Sequence, residues 1–172
     1  MPPMPALDAP PWRWSFLALA VALLAQATVL NRLHLRDGAL SLVLLVTVWF
    51  AARAGVWRGA LFALIAGACE DAVAGNTGAA WTFATPLAAA LGGRIVRALD
   101  SDNPLLFGAV VAVAALVRLL AFRLIEQAQQ PGVGFDGADV HAALWSAALD
   151  AVVAVIVLAA VPRLRPLRVD LR

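Results

Sequence analysis

The chain has 172 residues, 63% of them hydrophobic and 14% charged, with a mean hydropathy of +0.86. A soluble domain of this length would be about half apolar and about a quarter charged, so the composition excludes an ordinary soluble enzyme and points to an all-α, polytopic membrane bundle. All 13 basic residues are arginines scattered between apolar runs, which argues against a nucleic-acid surface despite the pI near 9.9, and a single cysteine, Cys69, excludes a disulfide framework.

Residues 1–13 are expected to form a disordered lead, because five prolines and Asp8 fall within the first eleven positions. Residues 14–162 are expected to form one transmembrane bundle with no room for a soluble domain, and residues 163–172 a basic tail. The first apolar run, Trp14 to Leu33, reads as an uncleaved span, although Ala25-Gln26-Ala27 faintly resembles a signal-peptidase site. The second, Ala39 to Ala52, would make a helix of ~21 Å against a hydrocarbon core of ~30 Å. It either spans with Arg36 and Arg53 snorkelling or is half-inserted. The third run is Val56 to Ala74, and a tight turn at Gly75–Gly78 leads to the fourth, Ala79 to Leu99, in which Pro86 predicts a kink. The fifth, Pro104 to Gln127, has Asp102 or Asn103 as its cap and a proline suited to the first turn. Residues 128–138 make the longest loop, and the last run is Asp139 to Val161.

Six spans put both termini on one side. Nine arginines (13, 53, 58, 94, 97, 163, 165, 168 and 172) fall on that side and three (32, 36 and 123) on the other, so the termini are expected to be cytoplasmic. Trp12, Trp14, Trp49 and Trp57 cluster at the same inner interface, Trp81 lies at the outer one, and Trp145 sits deeper as a packing residue.

Within the third run, Gly55, Gly59, Ala63, Gly67, Asp71 and Gly75 recur every fourth residue. On a helix they form a ridge of small side chains with a carboxylate set into it, and such ridges let membrane helices approach closely. Asp71 lies ~24 Å up this helix and Arg118 ~21 Å up the parallel fifth helix, while Asp150 lies ~17 Å down the sixth. A lone charge at such depth costs at least ~2.5–3.5 kcal/mol, so Arg118 is expected to pair with Asp71, Asp150 or both. Glu70 points about 100° away from Asp71 and is expected to be solvated near the outer interface. Arg123 and Glu126 suit a local ion pair. An aspartyl dyad of Asp71 and Asp150 is the one enzymatic alternative, and it is weak, because Arg118 would hold both ionised. His34 and His141 lack metal-ligand spacing, and no cofactor is expected.

The segment GACEDAVAGNTGAAWTFATPLAAALGG, Gly67 to Gly93, resembles the MreD family of rod shape-determining membrane proteins. Gly67, Asp71 and Gly75 match its glycine-rich third helix ending in an aspartate, whereas Gly78 stands one residue earlier than the family pattern. The resemblance implies a non-enzymatic inner-membrane scaffold of cell elongation. It also implies work with an MreC-like membrane protein, an MreB-like filament and the wall-synthesis polymerase and transpeptidase. It further implies a fold similar to the substrate-binding S-components of energy-coupling-factor vitamin transporters. Such an S-component is the alternative function, and it would need an outward pocket with polar groups.

Overall fold

The computed structural model describes residues 10–28, 39–75, 77–99, 103–130 and 136–160. Every regular element among them is an α-helix: α1 (Trp12–Thr28), α2 (Leu42–Ala54), α3 (Val56–Ala74), α4 (Ala80–Leu99), α5 (Pro104–Gln129) and α6 (Gly137–Ala160). The class is all-α, as expected. The rest of the lead, the Leu33 end of the first run with His34 and Arg36, and the arginine-rich tail lie outside the described residues.

Local signals account for the helix ends. Asn103 caps α5, its Oδ1 accepting the Leu105 N–H at 2.9 Å, and Pro104 follows where a missing N–H costs nothing. α6 begins two residues before Asp139 because Asp136 and Asp139 cap reciprocally, Oδ1 of Asp136 accepting the Asp139 N–H at 2.9 Å and Oδ2 of Asp139 accepting the Asp136 N–H at 3.3 Å. α1 begins at Trp12, so Trp12 and Arg13 belong to the bundle rather than to the lead. α4 runs through Pro86 as one helix to Leu99.

The short second run becomes the centre of the fold. α2 has 13 residues, eight of them buried, and it touches all five other helices. A helix of ~20 Å enclosed by protein has no hydrocarbon thickness to match, which explains how so short a run is accommodated. Leu44 and Val48 pack with Phe107 and Val111 on one side of it, and Phe50 packs with Phe62, Leu19 and Ala22 on the other. Trp12 and Phe16 extend this second cluster, with Phe50 and Phe62 ring centroids 4.5 Å apart.

Polarity is arranged oppositely to that of a water-soluble domain. Trp14, Leu24, Trp57, Phe83, Leu105 and Ile156 are exposed, whereas Glu70, Arg118 and Asp150 are buried. By length and apolar content α5 and α6 are each sufficient to cross a membrane.

The middle of the glycine ridge, Gly59 to Gly67, is consumed inside the fold, while Gly75 at its end is exposed. A Cβ at Gly59 would overlap Ala51 of α2, and one at Gly67 would overlap the Trp81 carbonyl of α4. Ala63, between them, is fully buried beside Ala51 and Ala89. Gly59→Leu and Gly67→Leu are therefore expected to cost at least ~1–3 kcal/mol each, since the obstacles include backbone that cannot rotate away. Gly137→Ala, where no atom lies within 4 Å, serves as the neutral control. Thermal unfolding in detergent checks this, and unchanged melting of both leucine variants would refute the packing.

Candidate functional site

Asp71 and Glu70 are adjacent in sequence but serve different neighbours. Asp71 faces the start of α4. Its Oδ1 accepts the Trp81 N–H at 3.1 Å and the Thr77 hydroxyl, and its Oδ2 accepts the Thr82 N–H at 2.7 Å and the Thr82 hydroxyl at 2.6 Å. A carboxylate here satisfies N–H groups that the first turn of a helix leaves without intrahelical partners, and it meets the positive end of the helix dipole. Gly75 ends α3 in the left-handed region at φ +77°, its N–H bonded to the Asp71 carbonyl at 2.9 Å. Gly67, Asp71 and Gly75 thus build one α3–α4 hairpin. Gly55 joins α2 to α3 at φ +95°, a conformation that favours glycine.

Arg118 does not pair with Asp71, correcting the expectation from matched depths. Its Nη2 is paired with Glu70 Oε2, both side chains being about nine-tenths or more buried. Arg118 Nε donates to Thr85 Oγ1 at 3.1 Å, Nη1 donates to Ser41 Oγ at 2.6 Å, and the guanidinium lies 4.3 Å from the Trp81 ring centroid. Glu70 is buried rather than solvated; its Oε1 accepts from Gln26 Nε2 at 3.2 Å and its Oε2 from Thr85 Oγ1 at 3.3 Å. Asp71 therefore fixes α3 against α4, and Glu70 fixes α3 against α5.

Asp150 is buried on α6, and its Oδ1 accepts the Ser41 N–H at 2.7 Å; it meets Arg118 through Ser41 rather than by a direct ion pair. Nearby, Ser146 Oγ accepts the Ala39 N–H at 2.9 Å. The start of α2 is thereby satisfied by protein groups deep in the bundle, where water would otherwise be needed. Asp71 and Asp150 bind different helices and share no partner, so they form no aspartyl dyad. Arg123 pairs with Glu126 at 2.7 Å, as expected, and also with Asp139 across to α6. Exposed His141 accepts from Trp145 Nε1 at 3.1 Å.

Sequence reasoning misplaced Glu70 and passed over Ser41, Thr85 and Gln26 as its network. For Glu70 a signal existed. It stands seven residues beyond Ala63 and three beyond Gly67, which returns it to the buried face, whereas steps of four drift ~40° per step and carry Asp71 to the edge. For Ser41 and Gln26 no local pattern marks a partner 77 or 44 residues away.

These groups surround a cavity of about 250 Å³. Its polar lining is Gln26, Ser41, Glu70, Arg118, Ser146 and Asp150, and Leu23, Leu44, Val73 and Leu119 are among its apolar walls. It lies where the ends of α1 and α3 and the starts of α2 and α4 meet the middle of α5 and of α6.

A double-mutant cycle separates the two acids. Glu70→Gln with Arg118→Met is expected to show a coupling of at least ~1 kcal/mol in unfolding free energy, while Asp71→Asn with Arg118→Met is expected to be additive within ~0.5 kcal/mol. Each Arg118 or Glu70 single variant should lose ~3–5 kcal/mol, because the partner charge is left buried. Strong coupling of Asp71 to Arg118 would overturn the assignment.

Compared with known proteins, the chain matches no family model, no curated sequence and no solved structure.

Proposed function

We propose that the chain is a six-span protein of the bacterial cytoplasmic membrane, with both termini cytoplasmic, acting as a non-enzymatic scaffold of cell elongation in the manner of the MreD family it resembles. The observation that carries this reading is the use of the motif. Gly67 gives close approach, Asp71 caps α4 and Gly75 ends α3. Each residue that supports the resemblance is spent on holding two helices together, which suits a scaffold and leaves none of the three free for chemistry. The apolar exterior and the arginine asymmetry support the membrane placement and its orientation. An MreC-like membrane segment is the proposed partner, with the filament and wall-synthesis enzymes reached through the same complex. Gly59, Ala63 and Gly67 are buried against α2 and α4, so that partner docks elsewhere than on the ridge.

A second reading, a substrate-binding S-component, is favoured by one observation, the polar cavity at the predicted outer half of the bundle. Pull-down in mild detergent separates the two. Co-purification with a periplasmic coiled-coil protein, and rounded cells on deletion in a rod-shaped host, are expected of the scaffold. Co-purification with an ATPase pair, intact shape and a new vitamin requirement would overturn it. Cysteine labelling at Thr77 and Val133 is expected from outside, and at Asp100 and Asp170 from inside; an externally labelled Asp170 would refute six spans.

A further inference from the structure

The enclosure of α2 has one seam. Apart from Ala54 at its end, the residues of this helix that are not buried are Leu42, Val46, Trp49 and Arg53. Steps of four, three and four place them in a single stripe along the helix. The stripe divides the two core clusters. On one side α2 packs with Ala147, Ala154 and Leu158 of α6, and on the other with Leu19 and Ala22 of α1. α1 and α6 make no contact with each other among the described residues, so the stripe between them stays partly open. Along its α1 edge lies an open groove of about 430 Å³, walled by Trp14, Leu17 and Val21 of α1 and by Leu42, Leu45 and Val46 of α2. Every residue lining the groove is hydrophobic.

The stripe changes character at its C-terminal end. Arg53 lies one turn beyond Trp49, its guanidinium 5.5 Å from the Trp49 ring centroid. Its Nε is buried without a hydrogen-bond partner, and no carboxylate among the described residues pairs with it. A buried donor left in that state is costly, and an acceptor that reached it would recover the cost. The segments assigned to this end of the bundle hold nine arginines against Asp8, Asp100, Asp102 and Asp170, so at least five guanidiniums stay uncompensated however those aspartates pair. Length then decides between occupants. From Leu42 to Arg53 the stripe covers ~17 Å along the helix axis. That is about half of a ~30 Å hydrocarbon core, the depth of one leaflet. A spanning helix of another protein would need about twice that length, whereas an acyl chain under a headgroup needs only this.

We infer that the stripe and groove form a binding site for an anionic phospholipid of the leaflet on the side of the termini. One acyl chain lies in the groove against Val21, Leu42 and Val46, and the phosphate accepts from Arg53 beside the Trp49 ring. A guanidinium gives a phosphate paired, charge-assisted hydrogen bonds, and the indole beneath it holds the cation at the apolar boundary. This inference rests on the membrane placement and orientation proposed above but not on the cell-wall role.

The test uses the full chain in nanodiscs of phosphatidylcholine with phosphatidylglycerol as the minority lipid, and native mass spectrometry counts the lipids that stay bound. Failure to enter nanodiscs would sink the membrane placement itself and is seen before any lipid is counted. Phosphatidylglycerol is expected to be retained about tenfold beyond its share of the bilayer. Excess sn-glycerol 3-phosphate, which has the phosphate but no acyl chain, is expected not to displace it. Arg53→Gln should abolish the preference. Arg58→Gln, which removes an equal charge from an exposed position outside the groove lining, should leave it intact. Ala18→Phe, which fills the groove from α1, should lower retention severalfold and carries the test if the Arg53 variant fails to fold. Retention no greater than the bilayer share, displacement by glycerol phosphate, equal losses in the Arg53 and Arg58 variants, unchanged retention in Ala18→Phe, or a stable dimer carrying no lipid would overturn the proposal.

Discussion

The Arg118–Glu70 pair is the constraint around which the rest of the bundle is arranged. A guanidinium in an apolar interior needs polar partners, and here each of its three nitrogens finds one on a different helix: Glu70 from α3, Thr85 from α4 and Ser41 at the head of α2. Satisfying one side chain therefore fixes the relative positions of four helices. Its planar fork makes this possible in a way that a lysine ammonium on a flexible stem would not. Asp150 extends the same layer to α6 by holding the start of α2, and Gln26 extends it to α1.

The layer also explains the shape of the molecule. α2 begins at the level of Asp150 instead of running the full length of its neighbours. Its first N–H groups are met by carboxylate and hydroxyl oxygens, so it needs no water at that depth. The cavity lies beside its first residues, with Ala39, Leu40, Ser41 and Leu44 in its lining. The opposite half of the bundle is closed by aromatic packing of Trp12, Phe16, Phe50 and Phe62.

The α3–α4 hairpin and the cavity are separate features of this arrangement. The glycine–aspartate motif sits in the α3–α4 hairpin, and its groups are all engaged there. The cavity lies on the other side of Glu70, toward α1 and α6. Two adjacent acids on one helix, about 100° apart, serve two separate purposes: one ends a helix join and the other anchors a buried cation.

Composition and periodicity alone determined the helical class and the six apolar runs, narrowed the cap of α5 to Asp102 or Asn103, and placed a tight turn at Gly75–Gly78. These depend on transfer energetics and on contacts within a few residues, which a linear sequence displays directly. The close approach at Gly59 and Gly67 was legible too, because small residues at every fourth position can only mean a close neighbour or lipid. The partner of Arg118 was not legible. Depth counting narrows the choice to residues at one level, but Glu70 and Asp71 differ there by ~1.5 Å along the axis and are separated only by rotation. Rotation is set by which neighbours pack around α3, and that is decided by α2, α4 and α5 together. The centrality of α2 was hidden for the same reason: its sequence shows only that it is short, and enclosure by five other helices is a property of the assembled fold.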